Sequence, residues 1–457
     1  MSYDERIYRD PDSGLCLDLT DSPSLERTLD ALGSADRGPM KALAAMEALE
    51  AGAMANPDEG RMVGHYWLRD PARAPDSRIT RAILESHELI ASLEDTDCRD
   101  VLLLGIGGSA LGPQLTHDAL RNPSDSARLH FIDNTDPEGF HRVLDPLDPA
   151  GTVVLTISKS GRTTETHNAL QATRAHFQRA GVDFESRAVA ITVTGSQLSE
   201  EAQGWRCCLP IWDWVGGRTS LTSAVGLAPM ALCGHDWRGL LEGARLADTL
   251  TRKPWPNNPA ALLALTWHAA GSGTGERALV VEPYRDRLQL LARYLQQLVM
   301  ESLGKSLDRG GRTVHQGLTV YGNKGSTDQH AFMQQLRDGR DDALVLFVEV
   351  LDPSIRCPLS DGLDASDHLL SLMAGTRQAL GHAGRPSMTL QVPDVSAHSL
   401  GLLVALFERA VGLYAELVNI NAYHQPGVEA GKQGARETLS VLERLQECLD
   451  DQWRNAT

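Results

Sequence analysis

A glycine-rich loop carries the first signal of chemistry in this sequence. LLLGIGGSALGP (102–113) places Gly105, Gly107 and Ala110 directly after an apolar run, close to the GxGxxA fingerprint of dinucleotide-binding proteins. Asp133, which ends the next apolar run, lies further along the chain than a ribose-binding acid usually does. The same glycines also suit a tight turn that binds nothing. By itself the motif therefore leaves open an NAD-dependent oxidoreductase, another ligand loop or a plain turn.

A second loop is rich in hydroxyl groups. SKSGRTTET (158–166) follows another apolar run and leads into a helical pattern, with Ser158, Ser160, Thr163 and Thr164 at the helix start. Hydroxyls and free backbone N–H groups at a helix N-terminus form an anion site, and Lys159 adds positive charge. A helix cap needs one hydroxyl, not four. The loop therefore predicts a monophosphate site, and the absence of a Walker lysine pattern argues against a nucleoside triphosphatase.

Three further side chains have the chemistry for moving protons next to a carbonyl. Glu301 follows Gln297 by four residues on a predicted helix, so both face one side, and its carboxylate could act as a base. Arg218, after the glycines of VGGR, offers a fixed cation for a negatively charged oxygen. His330, with a reference pKa near 6.5, could pass a proton. Taken singly, each also has an ordinary structural role, because most such residues are surface charges or ion-pair partners.

Composition narrows the class of protein. At roughly 150 residues per domain, 457 residues predict two or three domains. The net charge of -17 disfavours nucleic acid and anionic membranes as partners. The N-terminus has no apolar signal core, and the longest apolar stretch is interrupted by Glu408 and Arg409. Seven cysteines without a CxxC pair predict reduced thiols in the cytoplasm, and the absence of HxH or HExxH predicts no metal.

Buried-strand patterns alternate with helical patterns in two successive series, which indicates parallel sheets covered on both faces. The strand patterns lie at 99–107, 127–134, 152–158, 187–193, 276–283, 342–350 and 387–392, and the clearest helical patterns at 217–275, 285–304, 365–382 and from about 396. The sequence therefore predicts an α/β fold with two doubly wound domains. The predicted parts are a helical N-terminal extension (1–95), two α/β domains (96–252 and 253–422) and a C-terminal segment with a helix (423–457).

Five stretches in order together resemble the phosphoglucose isomerase family, in its shorter bacterial form. They are GIGGSALGP, SKSGRTTET, VGGRTSLTSAVGL, ESLGKSLDRGG with GNKGSTDQHAFMQQLRDG, and QPGVEAGKQ. The resemblance implies two sugar isomerase (SIS) domains and a homodimer with its site at the domain and subunit interface. It also implies reversible, cofactor-free interconversion of glucose 6-phosphate and fructose 6-phosphate in glycolysis and gluconeogenesis.

The resemblance implies a role for each site residue. Glu301 would move the proton between C2 and C1, Arg218 would stabilise the cis-enediolate, and His330 of the partner subunit would assist ring opening. Lys432 would lie near the ring oxygen. The implied substrate contacts are Gly108, Ser109, Ser158, Lys159, Ser160, Thr163, Glu165, Gly217, Gln297 and Gln425.

Two other functions compete with an isomerase. An NAD-dependent oxidoreductase would explain the first glycine loop alone and would leave Glu301, His330 and Lys432 without a task. A non-catalytic sugar-phosphate sensor of the same domain type would need an added partner module. The first 95 residues show no convincing basic helix-turn-helix, and all four proposed catalytic side chains are present. The sequence therefore favours the isomerase.

Overall fold

The computed structural model describes residues 6–352, 355–360 and 362–456, with the side chains of 429–430 and 448–456 left out. The chain divides into two compact units, which meet between residues 422 and 423 in the sequence. Both predicted sheets lie in the first unit, and the second unit consists mainly of one long helix.

The strands and helices of the described residues follow in chain order. The strands are β1 (Ile7–Asp10), β2 (Leu15–Asp18), β3 (Asp100–Leu104), β4 (Arg128–Ile132), β5 (Thr152–Ile157), β6 (Ala188–Thr192), β7 (Cys207–Pro210), β8 (Ala278–Pro283), β9 (Lys305–Leu307), β10 (Thr313–Gln316), β11 (Val320–Tyr321), β12 (Ala343–Val350) and β13 (Ser387–Val392). The α-helices are α1 (Glu26–Ser34), α2 (Pro39–Glu50), α3 (Ser77–Ala91), α4 (Leu111–Leu120), α5 (Pro137–Leu144), α6 (Thr164–Arg179), α7 (Gln197–Glu201), α8 (Ala224–Cys233), α9 (Trp237–Thr251), α10 (Pro259–Ala270), α11 (Leu291–Leu295), α12 (Met333–Asp338), α13 (Ala365–His382), α14 (Ala397–Val418) and α15 (Gly427–Ala456). A π-helix spans Gln296–Glu301.

The first sheet is parallel throughout, in the order β4–β3–β5–β6–β7. Every residue of β3, β5 and β6 is buried, which explains their unbroken apolar sequences. On one face, residues of α5, α6 and α7 share a core cluster with the strands, while α3 and α8 also contact the sheet. The chain leaves β3 for β4 on one side and then returns to β5 on the other. The carboxyl ends of β3 and β5 therefore flank a topological switch point, where ligands bind in such sheets.

The second sheet has the order β1–β2–β13–β12–β8–β11. Its four strands from β13 to β11 are parallel, as predicted, but β2 pairs with β13 antiparallel and β1 extends that edge. The prediction of a helical N-terminal extension is therefore wrong for residues 7–18, which form a hairpin. A hairpin signal is present in the sequence, because PDSG with Gly14 at a φ of +69° separates two short runs that contain apolar residues. The predicted domain boundaries stay a prediction.

Helix α14 is buried on almost every side, so its two buried charged residues, Glu408 and Arg409, need partners inside the protein. Arg409 donates from Nε to Asp248 Oδ1 at 2.8 Å, and Arg69 donates to the same oxygen at 3.0 Å. Glu408 pairs with Arg69. Within the described residues, none of the helices is both long enough and apolar enough to cross a membrane.

Candidate active site

The glycine loop after β3 and the hydroxyl-rich loop after β5 lie side by side, because their strands are hydrogen-bonded neighbours that end at the same edge. Each loop leads into a helix, α4 and α6 respectively. In a doubly wound sheet, the loops that follow the strands on either side of the switch point lie close together, and ligands bind between them. The topology thus forms a single site from motifs that lie about 50 residues apart in the sequence.

Gly108 lets the glycine loop approach the turn that carries Arg218. A Cβ atom at position 108 would lie 2.1 Å from the carbonyl oxygen of Gly217, so any other residue would force the two segments apart. Ser220 Oγ lies 2.7 Å from Gly217 O and 3.3 Å from Gly108 O and can donate to either carbonyl. This close contact explains the glycine at position 108, whereas a Cβ atom at position 217 would meet nothing within 4 Å.

The hydroxyl-rich loop has the geometry of an anion cradle. Ser158 Oγ lies 3.1 Å from Thr163 Oγ1 and accepts the N–H of Gly161 at 3.1 Å. Thr163 is the N-cap residue of α6, yet its hydroxyl accepts no hydrogen bond from the first turn of that helix. The helix N-terminus is therefore not capped by the hydroxyls that precede it, which favours a phosphate over a simple cap.

Lys159 points away from the centre of this cradle. Its ammonium donates to the carbonyl oxygens of Asp213 and Val215, both at 2.9 Å. Burial, helped by the nearby Arg61, lowers the pKa of Lys159 to about 8. In this conformation Lys159 ties the cradle to the segment that leads into Gly216–Arg218. Its predicted substrate contact would need a change of rotamer.

Glu301 and Arg218 form the charged centre of the site. Arg218 Nη1 lies 2.7 Å from Glu301 Oε2, with the Arg218 side chain 5% exposed and the Glu301 side chain 26% exposed. Gln297 Nε2 donates to the same oxygen at 3.3 Å, as the spacing of four residues predicts. Burial lowers the pKa of Arg218, and the carboxylate of Glu301 opposes that shift. A carboxylate that is held by a cation but still reaches solvent can act as a base on a bound substrate.

The element that carries Glu301 differs from the prediction. The sequence predicted a helix over 285–304, whereas the structure has a short α-helix, α11, followed by the π-helix Gln296–Glu301. Such π-turns widen the helix locally and often occur at functional sites. Here the π-helix ends at Glu301, so the wider turn presents that carboxylate to Arg218.

Lys305 is a site residue that the sequence interpretation missed. Its buried ammonium donates to the carbonyl oxygens of Glu301 at 2.8 Å and Ser302 at 2.7 Å. Burial lowers the pKa of Lys305 to about 7, with Arg218 acting in the same direction and Glu301 opposing. A signal was available, because ESLGK places this lysine one helical turn after Glu301.

A Lys305→Met variant should change how stability depends on pH. The pKa of Lys305 is lowered to about 7 in the folded protein, whereas it is about 10.4 in an unfolded chain. Between those values the unfolded chain binds more protons, so this lysine makes the wild-type protein more stable as the pH rises. The free energy of unfolding of wild type minus that of Lys305→Met should therefore increase from pH 7 to pH 9 in urea titrations. Replacing the exposed Lys41 with methionine should give no such trend, and a flat difference for Lys305 would contradict the lowering of its pKa by burial.

Residues far away in the sequence border the same site. Glu59, in the 56–61 loop, stabilises the charged forms of Arg218 and Lys159. Asn421 Nδ2 donates to Asn56 Oδ1 at 2.9 Å and thereby holds this loop. Nothing local in the sequence connects this segment to Lys159 and Arg218, which lie 100 and 159 positions after Glu59.

The structure brings together most of the predicted site residues but not all of them. The residues that meet at the edge of the first sheet are Gly108, Ser109, Ser158, Lys159, Ser160, Thr163, Glu165, Gly217, Arg218, Gln297 and Glu301. His330 is exposed at the end of the turn Thr327–His330, and no described hydrogen bond or ion pair joins it to Glu301 or Arg218. Gln425 and Lys432 lie in the second unit, where α15 carries Lys432.

A hydroxyl-rich loop at a helix start beside an arginine-paired glutamate, at the edge of a parallel sheet, is an arrangement that suits a sugar-phosphate isomerase class of protein. Residues 85–353 and 367–452 match the family model described as phosphoglucose isomerase. The chain therefore belongs to the phosphoglucose isomerase family.

Individual proteins show the same relationship. The chain is 52% identical to a glucose-6-phosphate isomerase of Geobacter sulfurreducens over 460 residues, which cover 96% of this chain and 86% of the relative. It superposes on the crystal structure of a glucose-6-phosphate isomerase from Chlamydia trachomatis with a TM-score of 0.88 at 26% identity, covering 96% of this chain and 91% of the other. A hypothetical protein from Thermus thermophilus gives a TM-score of 0.79 at 30% identity, covering 93% and 99% of the two chains.

Proposed function

We propose that this chain, an aldose–ketose isomerase by family, interconverts glucose 6-phosphate and fructose 6-phosphate with Glu301 as the base. The observation that carries the proposal is the ion pair of Glu301 with Arg218, 2.7 Å apart, at the sheet edge that also holds the phosphate cradle. The reaction needs one base and one stabiliser of negative charge, and this pair supplies both.

The mechanism starts with the phosphate of the substrate in the cradle of Ser158, Ser160 and Thr163, at the N-terminus of α6. Binding this remote group orients the carbon chain toward Glu301. After ring opening, Glu301 removes the proton from C2 and returns it to C1. Between the two transfers the oxygen of the cis-enediolate carries negative charge, which the guanidinium of Arg218 stabilises. Gln297 holds the carboxylate of Glu301 in position.

Ring opening needs a second proton donor and acceptor, and the family resemblance assigns it to His330 and Lys432. The exposure of His330 supports its entry into the site of a partner subunit. We infer that Lys432 assists at the ring oxygen and that Gln425 contacts the sugar.

A coupled assay tests the proposed activity. Fructose 6-phosphate is supplied, and the glucose 6-phosphate formed is oxidised by an NADP-dependent dehydrogenase that is added in excess. NADPH should appear at a rate proportional to this chain, with EDTA present and no cofactor added for the isomerase itself. Lack of product from either direction of the reaction would refute the activity, and saturable binding of NADH to the chain would favour the oxidoreductase instead.

Mixing two inactive variants tests whether the site is shared between subunits. Glu301→Gln and His330→Ala should each be inactive, but a mixed dimer would contain one site with both native residues. Random reassortment makes half of the dimers mixed, so activity should recover to about one quarter of the wild-type value. Mixing the two variants in denaturant and refolding them together, with each variant refolded alone as the control, measures this recovery. No recovery in confirmed mixed dimers would place His330 in the site of its own subunit.

We also infer that the enzyme acts in the cytoplasm. The six cysteines whose side chains are described are all free thiols, which supports a reducing compartment.

A further inference from the structure

Glu282 is a buried acid in the second sheet, away from the proposed site. It lies on the interior strand β8, between β12 and β11, is 0% exposed, and shares its face of the strand with Val280 and Tyr284, which belong to an apolar core cluster. Neither carboxyl oxygen of Glu282 accepts a hydrogen bond from the residues that the structure describes. A charged carboxylate in such surroundings is strongly disfavoured, so Glu282 needs either a proton or a cationic partner.

The neighbour of Glu282 is a second carboxyl group, that of Asp328, which is 2% exposed. Asp328 is held as an acceptor, because Oδ2 receives the backbone N–H groups of Asn323 at 2.8 Å and Lys324 at 3.1 Å. Burial and the adjacent Asp328 raise the pKa of Glu282 to about 8. At neutral pH Glu282 therefore keeps its proton, which it can donate to Asp328.

Asp328 belongs to the segment 322–330, which ends at His330 and is here named the histidine loop. Cβ atoms at Gly322 and Gly325 would lie 2.1 Å from Val281 O and 2.2 Å from the ring of Tyr284, so the loop packs directly on the end of β8. Gln329, next to His330, donates to the carbonyl oxygen of Leu372 at 3.1 Å. The contacts that fix the two residues before His330 thus also fix where the histidine lies.

We propose that Glu282 is a positioning residue, whose proton, shared with Asp328, holds the histidine loop in the conformation that presents His330 to the substrate. The consequence for catalysis rests on the proposed role of His330, whereas the consequence for the loop does not.

The other charged groups around Glu282 leave it without a cation. Tyr284 and Tyr321 also interact with Glu282, and the pKa of each is raised, mainly by burial. Lys324 pairs with Asp286 at 2.9 Å, Arg337 on α12 pairs with Asp338, and Arg377 on α13 pairs with Asp18 and Asp21. Within the described residues, Asp328 is therefore the partner that decides the protonation of Glu282.

The proton on Glu282 makes the opening of the histidine loop depend on pH in a defined direction. In the docked loop Glu282 keeps its proton up to about pH 8, whereas a carboxyl group exposed by opening would have an ordinary pKa of about 4.3. Opening the loop between those values releases a proton. The open fraction should therefore rise by up to about tenfold per pH unit and level off above about pH 8.

Hydrogen–deuterium exchange tests the loop directly. Protection factors of amides 322–330, corrected for the intrinsic pH dependence of exchange, should fall between pH 6 and pH 8 in the wild type. In Glu282→Gln the amide still donates to Asp328 but does not titrate in this range, so protection should be nearly independent of pH. Glu349→Gln is the matched control on the neighbouring strand β12, where the carboxylate accepts from Gln391, and it should behave like the wild type. An equal pH dependence in Glu282→Gln and wild type would overturn the proposal.

Measurements of kcat distinguish a positioning role of Glu282 from a role in packing alone. Glu282→Leu fills the space without a donor and should lower kcat by about tenfold or more at pH 7 with KM nearly unchanged, whereas Glu282→Gln should keep most of the activity. Thermal unfolding of both variants shows whether each is folded. Equal kcat in folded Leu and Gln variants would refute the positioning role. If exchange follows the prediction while kcat does not, the loop proposal stands and the proposed role of His330 is wrong.

Discussion

Replacing Glu301 with glutamine is expected to lower kcat by about 10³-fold or more, because the amide cannot accept the proton from C2. Glutamine has nearly the same shape and can still accept from Arg218 and Gln297, so the site should keep its form. The phosphate cradle is separate from this side chain. The Kd for sorbitol 6-phosphate, which carries the phosphate but has no aldehyde, ketone or carboxylate, should therefore change by less than about threefold.

Two measurements check this prediction. The coupled assay gives kcat, and incorporation of solvent deuterium at C2 of the sugar reports proton abstraction directly, so both should be lost together. Glu94→Gln, which alters a surface carboxylate paired with Arg238, is the control for the chemical change and should retain wild-type rates. Near-normal turnover in Glu301→Gln would remove this residue as the base.

Replacing Arg218 with methionine is expected to lower kcat by about 10²- to 10³-fold, with a much smaller change in KM. Its guanidinium lies 2.7 Å from Glu301, so in the proposed mechanism it stabilises the enediolate and its main effect falls on the transition state. Arg218→Lys should recover part of the activity, because an ammonium restores the charge but not the planar geometry of the guanidinium.

A double variant tests whether the two residues act as one unit. Glu301→Gln with Arg218→Met should be only slightly slower than Glu301→Gln alone, since groups that serve the same step are not additive. Arg309→Met breaks a peripheral ion pair with Glu416 and is the matched control, with full activity expected. If Arg218→Met lowered kcat/KM to the same extent by raising KM alone, Arg218 would bind substrate without stabilising the intermediate.

Local patterns in the sequence predicted the parts of this protein that depend on local physics. Unbroken apolar runs such as 152–158 became strands buried on both faces, because such runs are stable only between two layers of helices. SKSGRTTET became a loop that leads into α6 without a side-chain cap at the helix start, because serine, threonine and glycine favour loops at such places. The spacing of Gln297 and Glu301 correctly predicted that their side chains meet.

Other features depended on contacts between distant segments, and the local patterns did not predict them. The hairpin at 7–18 is extended because it completes the edge of a sheet whose other strands begin 260 residues later. Lys159 looked like a phosphate ligand by its neighbours in the sequence, yet the carbonyls of 213 and 215 attract its ammonium. The lowered pKa of Lys305 and the raised pKa of Glu282 beside Asp328 were likewise not predicted from the sequence. Both pKa shifts come mainly from desolvation, which depends on the whole surrounding structure.

The sequence by itself determined which groups are available: a hydroxyl-rich loop, a glutamate, an arginine and the strands that carry them. Only the tertiary structure decided which of these groups meet. The switch point between β3 and β5 joins the two loops, and a π-turn with a buried lysine sets the direction of Glu301. The reason is physical: propensity and periodicity act over a few residues, whereas burial and electrostatic pairing act between whichever segments the fold brings within a few ångströms of each other.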